Sequence, residues 1–303
     1  MEPLYLPLTG SAGCAEGCAA GGRFAILHRP SGAPRSLVVY AHPLGEEMNK
    51  SRRMVAMQAR ALAAAGHAVL LPDLLGCGDS PGDFGNASWS GWVDDIAAAA
   101  TWLRQAATGW AGGSAAAPPP LVLWGLRGGA LLAAAAAAQL GTVQQLLLWQ
   151  PAPAGRNLLQ QFLRLQVAAQ MLGRKGEAAG ADTLRTRLAA GEVVDVAGYR
   201  LAPGLAQGLE QARLAPVVGV QRLHWLELSL REPATLSPAS GSVITAWQQA
   251  GCDVLAQVVA GPSFWQTTEI EDAPALIQAT VAALALPAAA APTAGTTAAP
   301  VSA

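Results

Sequence analysis

The sequence predicts an α/β fold with a mostly parallel central sheet flanked by helices and a lid insertion. Three observations carry that expectation. Short apolar runs alternate with amphipathic or alanine-rich stretches, the rhythm of strands joined by right-handed helical crossovers. The polar residues of an otherwise bland chain cluster just after the apolar runs, at the carboxyl ends of strands, where open parallel sheets bind ligands. The rhythm then stops from about residue 153 to 212, which reads as a lid between two halves of one sheet.

The elements follow in order. "GRFAILHRP" (22–30) is an early strand and "SLVVYAHP" (36–43) a buried one. "MVAMQARALAAAG" (54–66) is a helix closed by Gly66. "HAVLLPD" (67–73) is a strand leading into the turn-rich "LLGCGDSPGDFG" and a helix from about Ser88 to Gln105, with Ser88 and Asp94 as N-terminal residues. "TGWAGGSAAAPPP" (108–120) is a linker, because neither a helix nor a central strand crosses three prolines. A strand from Leu121 to Trp124 runs through Gly125 to Gly129 into an Ala/Leu-rich helix, and "VQQLLLWQP" (143–151) is the next buried strand. Inside the insertion, "NLLQQFLRLQVAAQML" has helical spacing, and "EVVDVAGYRL" suits a short strand with a turn. "QRLHWLELSL" and "DVLAQVVAGP" are late strands, and "APALIQATVAALA" is a closing helix. Residues 1–286 form one expected domain, and the Ala/Pro-rich 287–303 a disordered tail.

Composition narrows the function. Hydrophobic residues make up 52% of the chain and charged ones 13%, and 19 basic against 20 acidic residues give a net charge of −1, so no nucleic-acid footprint is expected. Cys14, Cys18, Cys77 and Cys252 form no C-x-x-C pair and no zinc-spaced cluster, which fits reduced thiols in a cytoplasmic protein and no metal. No nucleotide or flavin motif calls for a cofactor. "MEPLYLPL" lacks the basic start of a signal peptide, and "GGALLAAAAAAQL" falls short of the roughly 20 apolar residues that span a bilayer, so an integral membrane protein is not expected.

The stretch "LVLWGLRGGALLA" (121–133) resembles the strand, G-x-S-x-G, helix of the nucleophile elbow in α/β-hydrolases, with Arg127 at the serine position. The resemblance to an α/β-hydrolase fold extends over nearly the whole chain. More narrowly, "AHPLGEEMNKSRRM" (41–54), "GLRGGALLA" (125–133) and "GPSFWQTTEIEDAP" (261–274) resemble the exosortase A system-associated hydrolase 2 family. That resemblance implies a hydrolase acting on an ester or related bond, in bacterial exopolysaccharide biosynthesis and the sorting of PEP-CTERM proteins. Components of those systems are the protein partners it implies.

The hydrolase triad does not transfer residue by residue. Arg127 replaces the nucleophile, and no histidine follows His224, so the loop after the last strand offers Ser263, Phe264, Trp265 and Gln266 instead of a base. Glu232 stands where an acid is expected but has no imidazole to orient, leaving a pseudo-catalytic triad. His42 sits where many hydrolases carry a histidine beside the oxyanion hole; satisfaction by backbone carbonyls is the blander alternative. Ser80 suits a turn and Cys77 an inert thiol, while His28 and His67 read as structural and His224 as core or edge.

Glu46, Glu47, Lys50, Arg52 and Arg53 form a dense charge run. It reads either as a solvated first helical turn, with a Glu46–Lys50 pair at i,i+4, or as neighbours of Arg127. A cation at a helix start opposes the helix dipole, so Arg127 needs an anion. A bidentate carboxylate from Glu46 or Glu47 would make it structural, and an anionic ligand functional. The candidate catalytic residues are therefore Arg127, Glu46, Glu47 and His42, and the candidate ligand pocket is Asn49, Phe264, Trp265 and Gln266. Three readings stay open: a hydrolase whose water is activated by Glu46, Glu47 or His42; a binding protein for a small acyl, glycan or lipid-linked ligand; and a scaffold.

Overall fold

The computed structural model describes residues 1–7, 22–110, 118–172 and 180–285. The expectations for Cys14, Cys18, linker residues 111–117 and the 287–303 tail lie outside the described residues.

Strands β1 (Glu2–Leu6), β2 (Arg23–His28) and β3 (Leu37–Ala41) precede helix α1 (Glu46–Ala64) and strand β4 (Ala68–Pro72). Helix α2 (Trp89–Thr108), strand β5 (Leu121–Leu126), helix α3 (Gly128–Leu140) and strand β6 (Gln145–Trp149) complete the first half. Between β6 and strand β9 (Arg222–Ser229) come helices α4 (Gly155–Leu172), α5 (Ala181–Ala189) and α6 (Pro203–Gln211), with a hairpin of β7 (Val194–Val196) and β8 (Tyr199–Leu201). Helix α7 (Pro238–Gln249), strand β10 (Asp253–Ala260) and helix α8 (Pro274–Ala285) follow.

Eight strands form one sheet in the order β1-β2-β4-β3-β5-β6-β9-β10. β2 runs antiparallel to both of its neighbours, and all pairs from β4 to β10 are parallel. The central strands "LVVYA" and "LVLWGL" are wholly buried because helices cover both faces of the sheet, which explains their unbroken apolar character. On one face Leu123 meets Trp92, Ile96 and Leu132 of α2 and α3; on the other, Tyr40, Trp124 and Trp149 meet Met54, Val55 and Leu276 of α1 and α8. Register aligns Ala41 with Gly125 and Gly125 with Leu148, so β3, β5 and β6 end at one level. That level carries the site.

α1, β1 and α7 depart from the sequence reading, and α5 and α6 have no counterpart in it. α1 begins at Glu46 rather than near Met54, since its polar first turns bury only Met48 and Ser51 and leave the apolar period incomplete. β1 and α7 carry little pattern, because they bury only Leu6 and only Ser240, Ile244 and Trp247 respectively. α7 is nevertheless well started: Ser237 accepts a hydrogen bond from the Ser240 N–H, and Pro238 takes the first helical position. "EVVDVAGYRL" forms a two-stranded hairpin, turned by Ala197 and Gly198 at positive φ. Among the described residues no helix is long and apolar enough to cross a membrane.

Candidate functional site

The backbone after β5 turns sharply. Arg127 has φ 54° and ψ −114°, a conformation unfavourable for a side-chain-bearing residue. Its N–H donates to the Trp149 carbonyl at 3.0 Å, and its own carbonyl accepts from the Ala130 N–H at 3.2 Å. The flanking glycines make the turn sterically feasible. A Cβ on Gly125 would stand 2.5 Å from Ala130 Cα, and one on Gly129 would stand 2.0 Å from the Ala41 carbonyl oxygen. α3 therefore packs directly on β3 and β5, which is what lifts residue 127 above the sheet.

The Arg127 side chain is mostly buried. Its Nε donates to Glu47 Oε1 at 3.2 Å and its Nη2 to Gln161 Oε1 at 3.3 Å, while the guanidinium lies 5.7 Å from the centre of the Trp265 ring. The contact with Glu47 is one hydrogen bond, not the expected bidentate fork, because Gln161 takes the other edge. Glu46 does not pair with Arg127, nor with Lys50: it accepts from the Tyr199 hydroxyl at 3.0 Å and from Asn49 Nδ2 at 3.2 Å. Burial pushes the Glu47 carboxyl above the usual carboxylate range, and the Arg127 charge and hydrogen bond only partly offset this.

Glu47, Arg127 and Trp265 come from three segments far apart in the chain, and the fold brings all three to one place. A bidentate pair also ties the outer segments together: Arg53 Nε and Nη2 each lie 2.9 Å from a different Asp272 oxygen. Beside Arg127 lies a cavity of about 350 Å³ with walls of Leu44, Leu158, Phe162 and Trp265 and polar groups from Glu47 and Lys50. Gln266 lines it as expected. Phe264 does not: it is 2% exposed and packs edge-on against Trp149 and Trp265, because the loop after β10 turns it into the core. Asn49 is held between Glu46 and Tyr199 and does not line the cavity either.

His42 cannot serve as the base expected of it. Its Nδ1 meets the Pro43 carbonyl at 2.8 Å, and its Nε2 accepts from the Leu74 N–H at 3.4 Å, so both nitrogens are committed to backbone. Burial holds its pKa below the usual imidazole value and keeps it neutral. The end of β3 points the ring inward, edge-on against Trp92.

The remaining candidates are structural. Ser80 donates to the Asp73 carbonyl and accepts from the Phe24 N–H, pinning the glycine-rich turn. Cys77 is buried, which pushes its thiol pKa far up and leaves it inert. His28 is buried, His67 bonds to Ser36, and His224 lies fully buried in β9 against Gln145. Glu232 is exposed and makes no hydrogen bond or ion pair among the described residues. Among those residues, no His, Cys, Asp and Glu cluster could hold a metal.

Gln161 and Tyr199 were not singled out by the sequence. Both come from the segment between β6 and β9: Gln161 from α4, whose helical period shows a polar face without showing what it meets, and Tyr199 from the short strand β8.

Comparison with known proteins agrees with this geometry. The profile described as serine aminopeptidase, S33, matches residues 32–188, just over half of the chain. No curated protein matches significantly. The solved structure of Est1E from Butyrivibrio proteoclasticus with ferulic acid bound is similar at a TM-score of 0.62 and 16% identity, covering 88% of this chain and 96% of that one. An α/β serine hydrolase without lid from Xanthomonas campestris, XC6422, has a TM-score of 0.52 and 18% identity, with 95% and 96% covered. A thermophilic esterase from Thermogutta terrifontis gives 0.52 and 17%, with 94% and 97% covered. At these identities the likeness shows the fold alone. With a sheet in this order and a profile over residues 32–188 that takes in β3 to β6 and the elbow after β5, the chain belongs to the serine aminopeptidase S33 family of α/β-hydrolase-fold proteins.

Proposed function

We propose that this protein uses the hydrolase pocket to bind a small acyl or glycan ligand without triad acyl transfer. The observation that carries the reading is Arg127 at the elbow, held by Glu47 and Gln161 and lying beside Trp265. Acyl transfer by the triad needs a nucleophile with a base in hydrogen-bond reach. Here the elbow carries a guanidinium, the neutral His42 is committed to backbone, and the loop after β10 brings an indole, not an imidazole, to 5.7 Å from the guanidinium. The cavity beside them keeps the apolar walls and few polar groups typical of small-molecule sites.

The described residues between 153 and 212 act in this reading as a lid, since α4 supplies Leu158, Gln161 and Phe162 to the cavity and Tyr199 latches onto Glu46. On the sequence resemblance of segments 41–54, 125–133 and 261–274 alone, the proposal extends to a cytoplasmic role alongside bacterial exopolysaccharide or PEP-CTERM sorting components. A second reading rests on Glu47. Its raised pKa and its place at the cavity wall suit a general base for water, with Arg127 stabilising developing charge.

One screen separates the two. Purified protein is incubated with short-chain esters, thioesters and activated glycosides, beside Arg127→Ala and Glu47→Gln controls. Ligand-induced thermal stabilisation without turnover supports the binding role. Turnover lost in both variants replaces it with the second reading.

A further inference from the structure

The two ends of the sheet differ. At one end β1 carries Pro3, which has no N–H to offer, and the charge of Glu2, and both discourage a further strand. At the other end β10 reads "DVLAQVVA", without proline or lysine. Its one charge, Asp253, is paired with Arg222 of β9 at 2.7 Å. The helices packed on the two faces beside β10 extend this bareness: α7 and α8 contain no charged residue. The side chains they expose, Ser242, Thr245 and Gln248 on α7 and Gln278 on α8, are polar but neutral. Ordinary domains are about a quarter charged and interface cores are depleted of charge, so this end of the molecule has the composition of an interface.

The backbone of β10 is half used. The Asp253 N–H donates to the Gln221 carbonyl at 2.9 Å and the Gly261 N–H to the Ser229 carbonyl at 3.3 Å. The register with β9 is unbroken between them. In a parallel ladder one residue turns both its N–H and its C=O to the neighbouring strand, and the next turns both away. Val254, Ala256, Val258 and Ala260 therefore face outward, where no group among the described residues receives them. Ala256, Gln257 and Ala260 are exposed, so the edge is reachable.

We propose that a second copy of this chain covers the edge, in a two-fold dimer whose β10 strands pair antiparallel and join the two sheets into one. The row of free groups is complementary to its own copy. An axis beside Gln257 sets Ala256 opposite Val258 of the partner subunit and Val254 opposite Ala260 of the partner subunit, so outward groups meet only outward groups. Gln257 then faces Gln257 of the partner subunit, and one amide can donate to the other. Size agrees: a strand of about 26 Å flanked by helix layers about 20 Å deep in total lets two copies bury about 1,000 Å², the least that a specific interface needs. A two-fold contact closes on itself and leaves neither β10 edge open to further chains.

Sedimentation equilibrium of the full chain tests this. At about 50 μM, above the micromolar Kd of a weak specific interface, twice the chain mass is expected. Ala256→Pro removes an outward N–H and none of the bonds to β9, so it is expected to keep the wild-type circular dichroism and sediment as a monomer. Gln257→Glu and Gln257→Lys each set two like charges face to face and are expected to raise the dimer Kd about fivefold or more. Mixing those two variants is expected to restore the dimer, now as a pair of unlike chains. Gln257 is exposed, so its variants carry the test even if Ala256→Pro fails to fold. A monomeric wild type would overturn the proposal and leave the edge to residues 286–303 or to solvent. A dimer that persists in folded Ala256→Pro, undiminished dimers of both Gln257 variants, or a mixture that stays monomeric would overturn it as well.

Discussion

Arg127 and Glu47, eighty positions apart in the chain, are joined by a single hydrogen bond of 3.2 Å between Nε and Oε1. The arginine sits where the fold's sharpest turn presents a side chain, and the glutamate comes from the first turn of the helix after β3. Their side chains are 16% and 26% exposed, so the pair stands between a surface bridge and a buried one.

That position sets the outcome of Arg127→Ser, which nominally restores G-x-S-x-G. Removing the cation leaves a half-buried carboxylate unpaired, at a cost of about 1–3 kcal/mol by denaturant unfolding. Assays with p-nitrophenyl esters are expected to show no esterase, because no imidazole faces the new serine. Esterase activity in this variant would mean that another group acts as the base.

Fluorophosphonates report activated serines. Ser80, the serine of the glycine-rich turn, spends its hydroxyl on the Asp73 carbonyl and the Phe24 N–H. Intact-mass measurement is expected to find the protein unmodified at probe concentrations that saturate an ordinary esterase. Stoichiometric labelling of any serine would contradict the binding reading.

The elbow glycines should tolerate nothing larger. Gly129→Ala drives a methyl into the Ala41 carbonyl oxygen and is expected to cost about 3 kcal/mol or more, if the protein folds at all. Gly141, at the C-terminus of α3, also has positive φ (62°) but no atom within 4 Å of its would-be Cβ. Gly141→Ala should cost only about 1 kcal/mol, the left-handed backbone term alone. Comparable urea midpoints for the two variants would refute the close-packing argument.

His224 gives a pH signature. Burial in β9 lowers its pKa to about 4, with Nε2 bonded to Gln145 and Nδ1 unpartnered. Above pH 6.5 the ring is neutral whether folded or unfolded. As pH falls from 6.5 toward 4, the unfolded chain takes up a proton that the folded one refuses, so stability drops, by roughly 3 kcal/mol from this residue. His224→Gln is expected to flatten the stability–pH curve in that window by up to one proton. An unchanged slope between wild type and variant would show that His224 titrates normally.

Much of the fold was legible because its signals are local. The runs that became β2 to β6, β9 and β10 are apolar enough to announce burial, and Ser88 caps α2 as its chemistry suggests. Asp94 lies further inside that helix, where it accepts from Gln139 of α3. What stayed hidden was weakly patterned: β1 and α7 bury too few residues to show a period.

The chain's sequence by itself determined that position 127 is an arginine between two glycines, that no histidine follows residue 224, and that the acidic run starting at Glu46 follows a buried strand. Those are statements about covalent order, and they constrain the chemistry before any folding. Tertiary structure alone decided which partner each charge takes. Glu47, not Glu46, reaches Arg127, because successive residues on a helix point about 100° apart, and Glu46 turns to Tyr199 and Asn49 instead. It also decided that Gln161 claims the second edge of the guanidinium, that Phe264 turns into the core, and that His42 spends both nitrogens on backbone. Hydrogen bonds act over about 3 Å and depend on direction, so partner choice is set by side-chain orientation at the meeting of distant segments, which linear spacing does not encode.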